Sequence, residues 1–156
     1  MIAGDMAMRQ RSLATSAHEL LDLGDLPLEV SPAADAALQK LPKKALKRMT
    51  DELRAWAAKA PVSAAKALYY VDYEDPDLRY VLIELLLNPP AGLDIDEEVE
   101  FAMTLDGDLS ETYARVLDAL PEKDKRRLFD GLMVDLTWPD DWDYVWGDDS
   151  AASLQS

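Results

Sequence analysis

The longest run of large apolar and aromatic residues in the chain occupies residues 66–88, and the structure of this stretch decides the fold. One interpretation is a β-hairpin, with a strand over Ala67–Tyr73, a tight turn at Glu74–Asp77 that contains Pro76, and a return strand over Leu78–Leu87. The Tyr, Val and Ile residues of both arms favour a pleated surface. We therefore predict the hairpin, whose return strand has an apolar face at alternate positions: Val81, Ile83, Leu85 and Leu87.

The same stretch also fits a helix, because short apolar runs are ambiguous by pattern alone. In this alternative Asp75 is the N-cap, Pro76 is the first helical residue, and the helix ends at Asn88 before two prolines. Its apolar stripe has the helical period: Leu78, Val81, Leu82, Leu85 and Leu86. The fold would then be an all-α helical bundle or a short HEAT-like array.

The N-terminal half shows one strongly amphipathic helix, Lys43–Lys59, whose apolar residues recur every three or four positions between Lys and Arg. A shorter helix is predicted from Pro32, since Ser31 suits the N-cap and proline suits the first turn. A short strand over Leu26–Val30 is predicted to precede it. We expect the basic face of the Lys43–Lys59 helix to point outward.

The C-terminal half predicts two further helical regions and a last strand. The helix over Asp94–Leu105 begins with acids, and we expect its buried face to be formed by Val99, Ala102, Met103 and Leu105. Asp106–Asp108 should break or bend it, and Asp108 with Glu111 has the spacing of a capping box for a second segment. The remaining elements are a helix that starts at Pro121 and stops at Gly131, followed by an alternating strand over Leu132–Trp138.

These elements together predict an α+β fold with a small, mostly antiparallel sheet. The sheet consists of the hairpin, about residues 67–87, and a strand at about residues 132–138, and amphipathic helices pack against it. We predict three regions: an N-terminal helical extension (residues 1–25), a single α+β domain (26–138) and an acidic aromatic C-terminal tail (139–156).

Charge narrows the classes of partner. The chain has 156 residues, a net charge of -15 and no cysteine, which removes disulfides and thiolate chemistry. A chain this acidic repels nucleic acid and anionic membranes, so a basic protein is the more natural partner. The exception is residues 39–66, which contain eight Lys and Arg and only two acids. No apolar run approaches the ~20 residues of a membrane span, so a soluble, cytoplasmic protein is expected. A homo-oligomer is compatible with this composition.

Carboxylates cluster at residues 72–77, 94–98 and 106–111. A calcium loop needs its ligands at set positions over roughly twelve residues, and none of these clusters has that spacing. We interpret the clusters as helix caps and solvated surface, and we predict no catalytic residue, no metal site and no cofactor.

Glu84 is the one acid set inside an apolar run. It could point out of the sheet or pair with a neighbour such as Arg79. A buried carboxylate could also serve acid–base chemistry, and with Asp72 and Asp75 it would give a metal-dependent hydrolase.

The end of the chain is the most unusual stretch because large aromatic residues alternate with acids and no cation balances them. Such aromatic residues act as interface anchors, and surrounding acids steer a basic partner. We predict a partner-binding site formed by Trp138, Asp140, Asp141, Trp142, Asp143, Tyr144 and Trp146. The alternative is that Trp138 and one other tryptophan complete the core and that the acids keep this end soluble.

Two short stretches resemble known families. Residues 28–60 resemble the opening strand and helices of RelE/ParE-type toxin-fold proteins over about a fifth of the chain. The basic and aromatic residues of the active strands of those toxins have no match here, so the resemblance does not imply ribonuclease activity. Residues 75–79 are similar to the start of the second helix of a HEAT repeat, which would imply the helical alternative.

The sequence therefore predicts a non-enzymatic, acidic protein-binding module of the antitoxin, inhibitor or regulatory-adaptor type. The alternatives are a metal-dependent hydrolase that uses clustered carboxylates and an α-helical scaffold.

Overall fold

The computed structural model describes residues 20–142. Its elements, in chain order, are β1 (Leu28–Val30), α1 (Pro32–Leu38), α2 (Lys43–Lys59), β2 (Val62–Val71), β3 (Arg79–Leu87), α3 (Ile95–Asp118), α4 (Glu122–Gly131), β4 (Leu132–Thr137) and a 3₁₀ turn (Pro139–Asp141). The predicted α+β fold is confirmed. Of the predicted N-terminal helical extension (residues 1–25), residues 1–19 lie outside the described part of the chain.

The four strands form one sheet in the order β1-β2-β3-β4. The central pair, β2 and β3, is antiparallel, whereas β1 runs parallel to β2 and β4 runs parallel to β3. The sheet is therefore mixed, and its prediction as mostly antiparallel was wrong. Two helices connect the two strands of each parallel pair. This connection carries the chain back to the end of the sheet at which the first strand of the pair began, so the second strand runs in the same direction.

The central stretch is a hairpin, as predicted, and the helical alternative is wrong. β2 begins five residues earlier than predicted, and the register pairs Val71 with Arg79. The connection contains a four-residue turn closed by the Leu78 amide, which donates to the Asp75 carbonyl at 2.8 Å and leaves Pro76 at the second position. The Asp72 side chain accepts the two amides that precede Pro76, so this acid shapes the turn.

One face of the sheet carries the core. The predicted apolar face of β3 is buried, and alternate residues of the neighbouring strands continue it: Ala65, Ala67, Val81, Ile83, Leu85 and Leu132. All four described helices contribute to the same cluster through Leu38, Leu46, Met49, Leu53, Leu109, Val116, Leu117 and Leu128. The described helices therefore cover a single face of the sheet. Leu21 and Leu23, which precede β1, are buried in the same core.

α1, α2, α4 and β4 lie within a few residues of their predicted positions. The Ser31 side chain accepts the Ala34 amide at 3.1 Å, which confirms it as the N-cap of α1. Lys43, Lys44, Lys47 and Arg48 are exposed, so the basic face of α2 points outward as predicted. The proposed domain boundaries stay a prediction.

α3 is one helix of 24 residues, so of the two expectations, a break or a bend at Asp106–Asp108, the break with a second helix starting at Asp108 was wrong. The helix continues through Gly107, where an interior glycine costs only about 1 kcal/mol. Burial of Leu109 and Val116 beyond it outweighs that cost. The capping box lies at the true start: Asp94 accepts the Glu97 amide at 2.8 Å, and Glu97 accepts the Asp94 amide at 3.1 Å.

A tyrosine joins α3 to β4. The Tyr113 hydroxyl donates to the Leu132 carbonyl, and the ring is half-buried. Burial raises the pKa of Tyr113 to about 12, and the nearby carboxylate of Asp130 adds to the rise.

Candidate partner-binding surface

A groove of about 530 Å³ lies between the first turns of α3 and the segment that follows β4. Its lining residues are Pro89, Ile95, Glu98, Val99, Trp138, Pro139, Asp140 and Asp141. The groove, here called the acidic groove, therefore joins three residues of the predicted partner-binding site to the acidic start of α3.

The wall formed by α3 carries an exposed apolar stripe. Ile95, Val99 and Met103 are spaced four residues apart, which places them on one side of the helix. Ile95 is 76% exposed and Met103 is 69% exposed. Our prediction that Val99 and Met103 are buried was wrong, because the core-facing side of α3, marked by Leu109, Thr112 and Val116, is rotated away from these two residues.

The opposite wall is held in place by Trp138. This ring is half-buried and lies against Phe101 of α3, with 6.4 Å between the ring centroids. The chain then turns through Pro139–Asp141, where the Asp141 amide donates to the Trp138 carbonyl at 3.0 Å. This turn leaves the side chains of Asp140 and Asp141 exposed at the rim of the groove.

The electrostatics of the groove are one-sided. Residues 94–108 include seven Asp and Glu and no Lys or Arg. The described lining residues include Glu98, Asp140 and Asp141 and no basic side chain. Acids in the first turn of α3 stabilise the helix through its dipole and capping box, as predicted, so they have a structural role as well. Together these acidic side chains produce a negative electrostatic field around the apolar stripe of α3.

Trp142 is separated from the acidic groove. Its carbonyl accepts a hydrogen bond from the Lys66 ammonium group, and its ring centroid lies 4.4 Å from the same nitrogen. Lys66 belongs to the sheet face opposite the described helices, so the segment crosses toward β2 after Asp141. Of the predicted partner-binding residues, Asp143, Tyr144 and Trp146 lie outside the described part of the chain.

That second sheet face contains the buried acid. Glu84 is 3% exposed, and one of its carboxyl oxygens accepts a hydrogen bond of 2.6 Å from the Thr137 hydroxyl. The strand register places Lys66 directly beside Glu84 on β2 and Asp135 beside it on β4. Partial desolvation raises the pKa of Asp135, the Leu136 amide hydrogen bond opposes the rise, and the Asp106 carboxylate adds to it.

The carboxylates of the hydrolase alternative do not meet. Asp72 and Asp75 accept backbone amides in the hairpin turn, whereas Glu84 lies five residues into β3, about 17 Å further along the strand. Within residues 20–142 no three Asp, Glu or His side chains are arranged to hold a metal ion. None of the described helices is long and apolar enough to span a bilayer.

Comparison of the chain with protein-family models, with curated proteins and with solved structures found no match in any of the three.

Proposed function

We propose that this chain is a non-enzymatic protein-binding module that docks a basic protein partner in the acidic groove. The observation that carries the proposal is the apolar stripe of α3, which is exposed to solvent within a wholly acidic rim. Apolar side chains left outside the core at helical spacing are typical of a surface that is covered by a partner.

The chemistry of the groove describes the partner. An apolar side chain that enters between Val99 and Trp138 would supply most of the affinity, because desolvated contacts at the centre of an interface dominate binding energy. Lys or Arg residues beside that side chain would meet Glu98, Asp140 and Asp141. Such rim charges contribute chiefly to association rate and partner choice. The expected partner segment is therefore an apolar residue flanked by basic residues.

Single substitutions in the full-length protein test this proposal. Val99→Glu places a charge on the apolar stripe and should weaken partner retention about 10- to 100-fold, as expected for an interface anchor. Tyr73→Glu is the matched control, because Tyr73 is also exposed, at 75%, but lies in the hairpin turn. Both variants should melt at the temperature of the wild type.

The measurement is a quantitative comparison of proteins retained from the native host by the wild type and the two variants. The proposal predicts that a basic protein is retained by the wild type and by Tyr73→Glu and is lost with Val99→Glu. Equal retention by all three proteins would remove the acidic groove from the binding site. Binding that survives Val99→Glu but disappears at high salt would indicate a charge-only contact elsewhere on the acidic surface.

A further inference from the structure

A second groove, of about 570 Å³, lies at the other end of α3, where α3 meets α4. Its apolar floor is formed by Ala114, Leu117 and Phe129. Phe129 is 60% exposed, although α4 is otherwise tied into the core through Leu128. The α4 helix therefore presents a large aromatic side chain beside a cavity.

The rim of this groove has mixed charge, unlike the acidic groove. Three acids, Asp118, Glu122 and Asp130, alternate with Lys125 and Arg126. Lys125 already pairs with Asp118 at 3.4 Å. Arg126 and Asp130 take part in none of the ion pairs formed within residues 20–142, and they lie one helical turn apart on one face of α4.

α4 is close to neutral, since residues 122–130 carry four Lys and Arg against three Asp and Glu. Arg127 donates from its guanidinium group to the Lys40 carbonyl at 2.6 Å, which brings α4 against the basic stretch that leads into α2. A second copy of a chain with a net charge of -15 is repelled by most of the molecular surface. α4, whose charges nearly balance, is repelled less than the acidic surfaces of the molecule are.

We infer that this protein forms a two-fold dimer through α4. Two α4 helices that pack antiparallel about an axis level with residue 128 bring Arg126 beside Asp130 of the partner subunit, and the pair is repeated on the other side of the axis. Phe129 of each copy then enters the groove of the other. The two-fold axis repeats each contact. The order Arg126 then Asp130 along α4 is therefore complementary to the same two residues read in the opposite direction on the other copy.

The test is the mass of the full-length protein, measured by sedimentation equilibrium over a range of concentrations. The wild type should dimerise, and Phe129→Glu should raise the dissociation constant about 100-fold or more, because the substitution removes two anchors at once. Met103→Glu is the control, since it adds the same charge to a similarly exposed apolar site in the first half of α3. It should leave the dissociation constant unchanged.

Charge exchange identifies the geometry. Arg126→Asp alone and Asp130→Arg alone should each weaken the dimer about tenfold, because each places like charges together twice. The double variant restores opposite charges and should recover the affinity of the wild type. A monomeric wild type, or a dimer that survives Phe129→Glu, would overturn the inference. Loss of the dimer with Met103→Glu would also overturn it, because the copies would then associate through the apolar stripe of α3.

Discussion

The hydrogen bond between Thr137 and Glu84 is the clearest place to ask whether the buried acid is structural. Thr137→Val removes the hydroxyl donor and keeps the shape of the side chain. Both residues are nearly inaccessible, and the donor–acceptor distance is 2.6 Å, so water does not readily replace the lost group. A buried acceptor deprived of a hydrogen bond costs about 1–3 kcal/mol, and we expect the free energy of unfolding to fall by that amount.

Urea denaturation at neutral pH, followed by circular dichroism, measures this change as a shift of the midpoint at constant slope. Thr104→Val is the matched control, because Thr104 is an exposed threonine on α3 and should change stability by less than about 0.5 kcal/mol. If Thr137→Val costs no more than the control, the hydrogen bond does not stabilise the fold. The burial of the Glu84 carboxylate in the second sheet face would then need another explanation.

Three further predictions concern packing, backbone and titration. Ile83→Ala should cost about 2–5 kcal/mol in urea denaturation, whereas Ile95→Ala should be nearly neutral because that side chain is 76% exposed; equal costs would contradict the assigned faces. Gly24→Ala should lower the melting temperature, since Gly24 has a φ of 70°. Gly107→Ala should raise it, since Gly107 is in a helix and an added Cβ meets nothing within 4 Å. A shift of the melting temperature in the same direction for both variants would contradict this reasoning. Folding raises the pKa of Tyr113 from 10.0 to about 12, so stability from this residue is complete below pH 10 and falls by at most about 1.4 kcal/mol per pH unit toward pH 12. Tyr113→Phe should lack that component, and identical pH profiles would exclude it.

The hairpin could be predicted because local chemistry agrees with it. Tyr69, Tyr70 and Tyr80 prefer a pleated surface, and Tyr70 stacks on Tyr80 across the strands with ring centroids 5.0 Å apart. Pro76 fits the second position of the turn. The strand directions of the outer pairs could not be predicted in the same way, because they depend on where the helical connections return the chain and not on any local residue pattern.

Only one wall of the acidic groove could be predicted from the sequence. Trp138, Asp140 and Asp141 stand out in the sequence because aromatic residues and acids alternate there without cations. The opposite wall was missed because Val99 and Met103 have the spacing of a core face, and only packing against α2 and β4 determines which side of α3 turns inward. The signal was present in the angular positions along α3, since Val99 and Met103 lie roughly 80–140° around the helix from Leu109 and Val116.

The two proposed surfaces lie toward opposite ends of one helix, which makes them compatible. Val99 and Ala114 are fifteen residues apart on α3, so the acidic groove and the mixed groove are separated by about 22 Å along the helix axis. A dimer formed at α4 would leave both acidic grooves open and would hold them at a fixed distance. A basic partner with two binding segments could then engage both grooves, and its apparent affinity would exceed that of one segment without any new contact. Phe129→Glu should abolish that gain and leave the affinity for a single segment unchanged, whereas Val99→Glu should weaken both.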